Sequence, residues 1–398
     1  MPGRGGGSHL WPDRRRDLSS VVFGSIARVT ALDPFRVDVP DDVLTDLAER
    51  LRRARLPNAI PGIGWEQGLP AEVLQEIIRY WLDSYDWRVH EARLNRYEQF
   101  TTTVEGQRFH FLHIRSRHAS AVPLFLTHGW PGSVVEFLDV LDALSDPADP
   151  ADAFHLVVPS LPGYGFSGPT TQAGWNPRRI AAAFGEIADR LGYQRYGVQG
   201  GDWGAIVSYN MAELRPERVL GLHVNLMNVP PPSGEAAAPP TAWARRMGRA
   251  GGGYDLIQGT RPQTIGYLLD DSPAGLAAWI IEKFYEWTDR SGGSLVLTED
   301  QMLTNVMVYW VTRTGASSAR LYWERRQAPE TMVPRRRVLV PTGVANYPGE
   351  LVRSLRPHAE RFFNIVHWSE LSRGGHFPAM EVPDLFVEDV RAFFRPLR

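Results

Sequence analysis

The rhythm of apolar and polar positions changes along the chain. Over Asp41 to Arg55, Val43, Leu44, Leu47 and Leu51 share one face, with acidic residues early and arginines late, which predicts an amphipathic helix. Ala71 to Tyr85 predicts a second helix, with Leu74, Ile77, Ile78, Trp81 and Tyr85 on one side. Pro57, Pro61, Gly62 and Gly64 break the pattern between them, giving a helical N-terminal region with a proline-rich meander. From about Phe100 the pattern shortens. Arg108 to Ile114 alternates like a strand. Val122 to Leu126, Leu156 to Val158, Tyr196 to Val198, Val219 to Val224, Val338 to Val340 and Asn364 to Val366 are short apolar or alternating runs. Helical stretches such as Ile180 to Leu191 and Ala205 to Leu214 lie between them. Buried strands alternating with helices predict an α/β fold with a mostly parallel sheet.

Between Met227 and Pro334 the strand rhythm stops. Pro230, Pro231, Pro232, Pro239 and Pro240 predict a loop, and Leu276 to Trp287 and Glu299 to Thr312 predict helices. A helical block inserted between strands is placed to act as a lid over the strands' carboxyl ends, where open α/β sheets bind ligands. The expected units are a flexible leader over 1–30, an N-terminal domain over 31–100, a first core segment over 101–228, a helical lid over 229–334 and a second core segment over 335–398.

Composition narrows the options. The 398 residues carry a net charge of -2, so nothing in the overall charge favours nucleic acid or an acidic membrane as partner. There are no cysteines, which excludes disulfides, thiolate zinc sites and cysteine nucleophiles and fits a cytoplasmic location. No apolar run approaches the roughly 18 residues of a membrane span. Arg14, Arg15 and Arg16 precede Val21, Val22 and Phe23, which faintly suggests an export signal; Gly24, Ser25 and Arg28 cut the apolar run short, so a leader is the better reading.

Three motifs carry chemistry. Gly200-Gly201-Asp202-Trp203-Gly204 follows a strand and precedes a helix. It has the form of the strained nucleophile elbow with aspartate in place of serine. By itself such a pentapeptide is also compatible with a glycine-rich turn and a capping aspartate. His128-Gly129-Trp130-Pro131-Gly132-Ser133 follows the strand ending at Thr127, where the oxyanion loop of an α/β-hydrolase lies. Backbone N–H groups of Trp130 and Trp203 are then the expected oxyanion donors, and His128 is expected to be a structural hydrogen-bonder. Gly374-Gly375-His376-Phe377-Pro378 follows the last strand, the place of the general base in the order nucleophile, acid, histidine. Glu350, Glu360 and Glu370 are the upstream acids; Glu350 lies a short loop beyond a strand and is favoured, with Glu370 as fallback. The three motifs in this order predict the α/β-hydrolase fold.

An aspartate is ionised at neutral pH and needs no base before it attacks. It suits displacement at a saturated carbon, which leaves an alkyl ester on the enzyme for a histidine-activated water to hydrolyse. Epoxides and alkyl halides both fit. An epoxide oxygen leaves as an alkoxide and requires proton donors, whereas a halide does not. The lid offers Tyr254, Tyr267, Tyr285, Tyr309 and Tyr322, and pattern by itself selects no pair among them.

The chain resembles the microsomal-type epoxide hydrolases from about Phe35 to its end. Phe35-Arg36-Val37, Leu51-Arg52, Arg55-Leu56-Pro57 and Trp87-Arg88 resemble the family's N-terminal domain, which wraps the core with a meander over the lid. The oxyanion and elbow motifs match, and Asp271 to Phe284 resembles a long, specific lid signature. The resemblance implies two tyrosine acids: Tyr254, in Gly253-Tyr254 before Ile257-Gln258, and Tyr322, in Arg320-Leu321-Tyr322 after Ser317-Ser318. Tyr347-Pro348-Gly349-Glu350-Leu351 resembles the family's acid motif and supports Glu350 over Glu370. Where vertebrate members carry a membrane-anchoring helix, this chain has a short leader, so a soluble bacterial-type member is expected. The implied activity is hydrolysis of a small-molecule epoxide to a vicinal diol, with no metal and no cofactor; homo-oligomerisation stays open. His110 and His113 lie three apart on an alternating strand, so they point to opposite faces and do not suggest a metal pair. Two rivals remain: a hydrolytic dehalogenase using the same Asp-His pair, and a ligand-sensing binder that keeps the fold.

Overall fold

The computed structural model describes residues 32–398 apart from 242, 243, 246, 247, 249 and 294. The leader expected over 1–30 lies outside the described residues. Nine strands form one sheet: β1 (Asp33–Phe35), β2 (Gln99–Val104), β3 (Gln107–Ile114), β4 (Val122–Thr127), β5 (Phe154–Pro159), β6 (Tyr196–Gly200), β7 (Val219–Val224), β8 (Val338–Asn346) and β9 (Phe363–Glu370). Their spatial order is β1-β2-β3-β5-β4-β6-β7-β8-β9. From β5 to β9 the neighbours run parallel, while β1, β2 and β3 form an antiparallel edge. The parallel strands read as continuous apolar runs because helices cover both faces, and Leu124, Phe125, Leu126, Val157 and Val198 are fully buried. The β2–β3 hairpin turns at Glu105 (φ 49°) and Gly106 (φ 79°), two left-handed residues as a tight hairpin of right-handed twist requires.

Helices Pro177–Arg190 and Asp202–Leu214 pack on each other, and the C-terminal helix Pro383–Phe394 packs under β7. The last comes close because Phe393 and Phe394 lie over Gly197, Gly221 and Gly343, where a Cβ would collide with their rings. Its one buried acid, Asp389, accepts hydrogen bonds from His223 on β7 and His367 on β9, each at 2.9 Å. These two hydrogen bonds tie the helix to the sheet.

The expected lid is present between β7 and β8. It comprises helices Gly253–Thr260, Pro262–Asp271, Pro273–Trp287, Glu299–Thr312 and Gly315–Gln327. Helices Asp41–Arg52 and Ala71–Asp83 from the N-terminal region pack on its Pro273–Trp287 helix. The meander between them reaches the same helix, where Trp65 stacks on Tyr285 at a ring separation of 3.4 Å and 5° between planes. Among the described residues no helix is long and apolar enough to cross a membrane.

Several boundaries differ from the sequence reading. β8 runs on to Asn346, so Glu350 follows it within one turn, and β9 extends to Glu370, which therefore ends a strand. β1 and β2 were not expected; Gln99–Val104 reads QFTTTV, too polar to register as a strand although it completes a hairpin.

Candidate active site

β6 ends at Gly200 and the next helix begins at Asp202. Asp202 takes φ 48°, a left-handed conformation that a non-glycine residue adopts only under constraint. The crowding around it explains the glycines. A Cβ on Gly200 would strike the backbone of Gly204, and a Cβ on Gly204 would strike the Thr127 carbonyl. A side chain on Gly129 would collide with the Asp202 carboxylate. The elbow therefore presents Asp202 at the start of a 13-residue helix, where the unpaired first-turn amides favour negative charge. The Trp130 N–H donates to Asp202 Oδ1 at 2.9 Å. The Trp203 N–H belongs to that first turn and has no acceptor within its own helix.

His376 and Glu350 arrive from the loops after β9 and β8. His376 Nδ1 lies 2.6 Å from Glu350 Oε1, and its Nε2 lies 3.4 Å from Asp202 Oδ2. Both side chains of the His376–Glu350 pair are buried. A carboxylate beside Nδ1 fixes the proton there and leaves Nε2 facing Asp202. Burial disfavours the imidazolium, but the carboxylates of Glu350 and Asp202 outweigh it and hold the His376 pKa well above the ordinary value. The Glu350 carboxylate also accepts the Leu351 N–H at 2.6 Å. The His376 backbone N–H donates to the Trp287 carbonyl at 2.9 Å, tying the histidine loop to the end of a lid helix. Glu370, the fallback acid, is drawn to the surface by Arg353 at 2.7 Å, and Glu360 pairs with Arg356 at 2.8 Å.

The five lid tyrosines separate by environment. The Tyr254 ring stacks on Trp130 at 5.2 Å and 8°, and the Tyr322 ring meets Trp203 edge-on at 4.9 Å and 88°. The two tyrosine rings are 5.8 Å apart at 81°. Burial, reinforced by the Asp202 charge, raises both phenol pKa values, so both hydroxyls stay protonated as donors. Tyr309 donates its hydroxyl to the Gly132 carbonyl at 2.7 Å. Tyr267 is exposed, and Tyr285 lies between Trp65 and Arg290. Asp255, next to Tyr254, pairs with Arg325, one helical turn beyond Tyr322; Arg325 Nη2 reaches its two oxygens at 2.6 and 2.7 Å. This ion pair joins the two helices that carry the tyrosines.

Comparison with known proteins identifies the relatives of this chain. The model for the epoxide hydrolase N terminus matches residues 32–137, and that for the alpha/beta hydrolase fold matches residues 122–250. The chain is 45% identical over 382 residues to a relative from Stigmatella aurantiaca, provisionally named an epoxide hydrolase, covering 92% of this chain and 86% of the relative. It is 35% identical over 405 residues to epoxide hydrolase 1 of Sus scrofa, covering 91% and 88%. The chain belongs to the epoxide hydrolase family. The crystal structure of juvenile hormone epoxide hydrolase from the silkworm Bombyx mori superposes with a TM-score of 0.84 at 32% identity, covering 92% of this chain and 95% of that one.

In this epoxide hydrolase fold some contacts at the site have no motif of their own. Asn305 donates to the Pro131 carbonyl at 2.7 Å and accepts from the Ser133 hydroxyl at 2.7 Å. With Tyr309 it pins three successive residues of the oxyanion loop to the Glu299–Thr312 helix. The only sequence trace is two polar-tipped residues four apart on an otherwise apolar helix face. His128 is used structurally. Its Nε2 accepts the Leu161 N–H at 3.2 Å, so Nδ1 carries the proton and donates to the Gly129 carbonyl at 2.9 Å. Among the described residues no cluster of three or more histidines and carboxylates is arranged to hold a metal ion.

Proposed function

We propose that this protein hydrolyses an epoxide to a vicinal diol in two covalent steps at Asp202. The substrate oxygen sits under Tyr254 and Tyr322. An Asp202 carboxylate oxygen attacks a ring carbon, the carbon–oxygen bond breaks, and the departing alkoxide takes a proton from the tyrosine pair. This leaves a hydroxyalkyl ester. Esterification removes the Asp202 charge, one of the two that favour the His376 imidazolium, so Nε2 becomes free to act as a base. His376, oriented by Glu350, takes a proton from water as the water oxygen bonds to the ester carbonyl carbon. The developing oxyanion is stabilised by the N–H groups of Trp130 and Trp203. Its collapse breaks the ester bond, and His376 returns its proton to the leaving diol oxygen. The proton of the new Asp202 carboxyl passes by way of solvent to the tyrosinate left by ring opening, which restores the carboxylate and both phenols.

The observation that carries this reading is the pair of protonated tyrosines, Tyr322 buried and Tyr254 half-buried, whose rings lie 5.8 Å apart against the tryptophans that flank Asp202. A halide leaving group has no use for two proton donors, and a ligand sensor has no use for a histidine backed by a buried acid. A cytoplasmic location fits the cysteine-free sequence. The test is incubation with styrene oxide and, separately, with an alkyl bromide. Diol from the first and no bromide from the second is expected. Bromide release would favour a dehalogenase, and neither product would favour a binder.

A further inference from the structure

One ionisable side chain at the site has no task in the scheme above. Glu136 lies in the short Val134–Phe137 turn, directly after the oxyanion loop. It is only 6% exposed, and among the described residues its carboxyl has no hydrogen-bond or ion-pair partner. One carboxyl oxygen lies against the Cα of Gly132, so close that a Cβ there would collide with it. The turn packs against two elements: the Pro378–Glu381 helix that follows His376, and the Glu299–Thr312 helix that supplies Asn305 and Tyr309. The ionisable groups that face it are His376, Asp202, Glu350 and Glu381, with Tyr309 from the lid.

A buried carboxyl without a partner costs on the order of several kcal/mol, so a purely structural role would favour an apolar residue here. Burial, opposed by His376 and reinforced by Asp202, pushes its pKa up to about 8. At neutral pH Glu136 is therefore uncharged. It neither repels the Asp202 carboxylate nor holds His376 in its cationic form. An uncharged carboxyl still offers a carbonyl oxygen as acceptor. Attacking water has two hydrogens, and His376 takes one.

We propose that Glu136 is a positioning residue of the ester-hydrolysis step, its carbonyl oxygen accepting the water hydrogen that His376 does not take. The inference rests on the two-step mechanism at Asp202. In this step a water O–H bond breaks, the proton moves to His376 Nε2, and the oxygen bonds to the Asp202 carboxyl carbon. Glu136 gains and loses nothing. Held at both hydrogens, the water has its lone pair directed at the ester, which lowers the orientational cost of attack.

The test is single-turnover kinetics with styrene oxide, separating alkylation from ester hydrolysis by intact mass. Glu136→Met keeps the length and removes the acceptor. It should alkylate within about twofold of the wild-type rate and hydrolyse the ester about tenfold to a hundredfold more slowly, the cost of a misoriented reactant. Glu136→Gln keeps a carbonyl acceptor and should recover most of the loss. Wild-type hydrolysis in Glu136→Met, or equal slowing of both steps in both variants, would overturn the proposal. If the Met variant does not fold, Glu136→Asp takes its place. Shortened by one methylene, it should slow hydrolysis and spare alkylation, and an unchanged hydrolysis rate would again overturn it. The ester trapped by His376→Gln reports on the mechanism itself, so the two can fail separately.

Discussion

The sheet side of this site and its lid side are built differently. Asp202, His376 and Glu350 stand on turns at strand ends, fixed by backbone geometry: a left-handed Asp202, glycines with no room for a Cβ, and a buried 2.6 Å His376–Glu350 contact. Tyr254 and Tyr322 stand on two helices, held by aromatic stacking and by the partly exposed Asp255–Arg325 ion pair. In the proposed scheme the sheet side makes and breaks the ester, and the lid side protonates the leaving oxygen. Faults in one should stall a different step from faults in the other.

The largest effect is expected for Asp202→Ala. Without a nucleophile neither step occurs, and diol formation should fall by about 10⁴-fold or more in a variant that remains folded. Steady-state turnover of styrene oxide measures it, and near-wild-type activity would remove Asp202 from its proposed role.

Next come the tyrosines. Tyr254→Phe and Tyr322→Phe should each slow alkylation by about 2–4 kcal/mol, the usual cost of deleting one donor to a developing oxyanion. The double variant should be nearly inactive. Stopped-flow tryptophan fluorescence should follow the step, given Trp130 and Trp203 beside the site. Unchanged alkylation in both single variants would make the tyrosines packing residues and blur the division between the two sides.

The sheet side also depends on neutral histidines. Burial lowers His110 to about 3 and His128 to about 4. Both values lie below that of an unfolded histidine, so the unfolded chain binds protons first as pH falls. Stability from these two groups is complete above about pH 6.5 and is lost as pH drops toward 4, on the order of 1–2 kcal/mol each by pH 5. Thermal melts at pH 7 and pH 5 should show the fall. His128→Asn, with no group to titrate, should show a smaller one.

The smallest effect is expected for Asp255→Asn. A partly exposed ion pair contributes roughly 0.2–1 kcal/mol, so alkylation should slow by about twofold to fivefold, with less effect at high salt. Ester hydrolysis should not change. A loss confined to hydrolysis would contradict the assignment of this pair to the lid's step.

The two sides were also unequally legible in the sequence. The elbow, oxyanion loop and histidine loop could be read because their steric demands fall on glycines beside reactive residues. The strand after which each lies was visible as an apolar run. The lid lacks that record. Helix Gly315–Gln327, GASSARLYWERRQ, carries small and charged residues around Tyr322 and has little amphipathic signal, since it is buried on several sides. Tyr254 and Tyr322 could be picked from five tyrosines only through resemblance to a family. Helical spacing assigns a face and not a neighbour, so it could not show that Tyr309 is committed to Gly132 or that Asn305 grips the oxyanion loop. Glu136 was missed for a related reason: an acid four residues after a glycine turn looks like a solvated surface residue until its burial is known.

The most direct test of the two-step scheme is intact-mass analysis of His376→Gln mixed with styrene oxide. A carboxylate nucleophile needs no base before it attacks, so the first step should proceed, and the ester should persist because no base activates water. The protein should gain the mass of one substrate molecule, and peptide mapping should place it on Asp202. An unmodified protein, under conditions where substrate binding is demonstrated, would contradict the covalent mechanism.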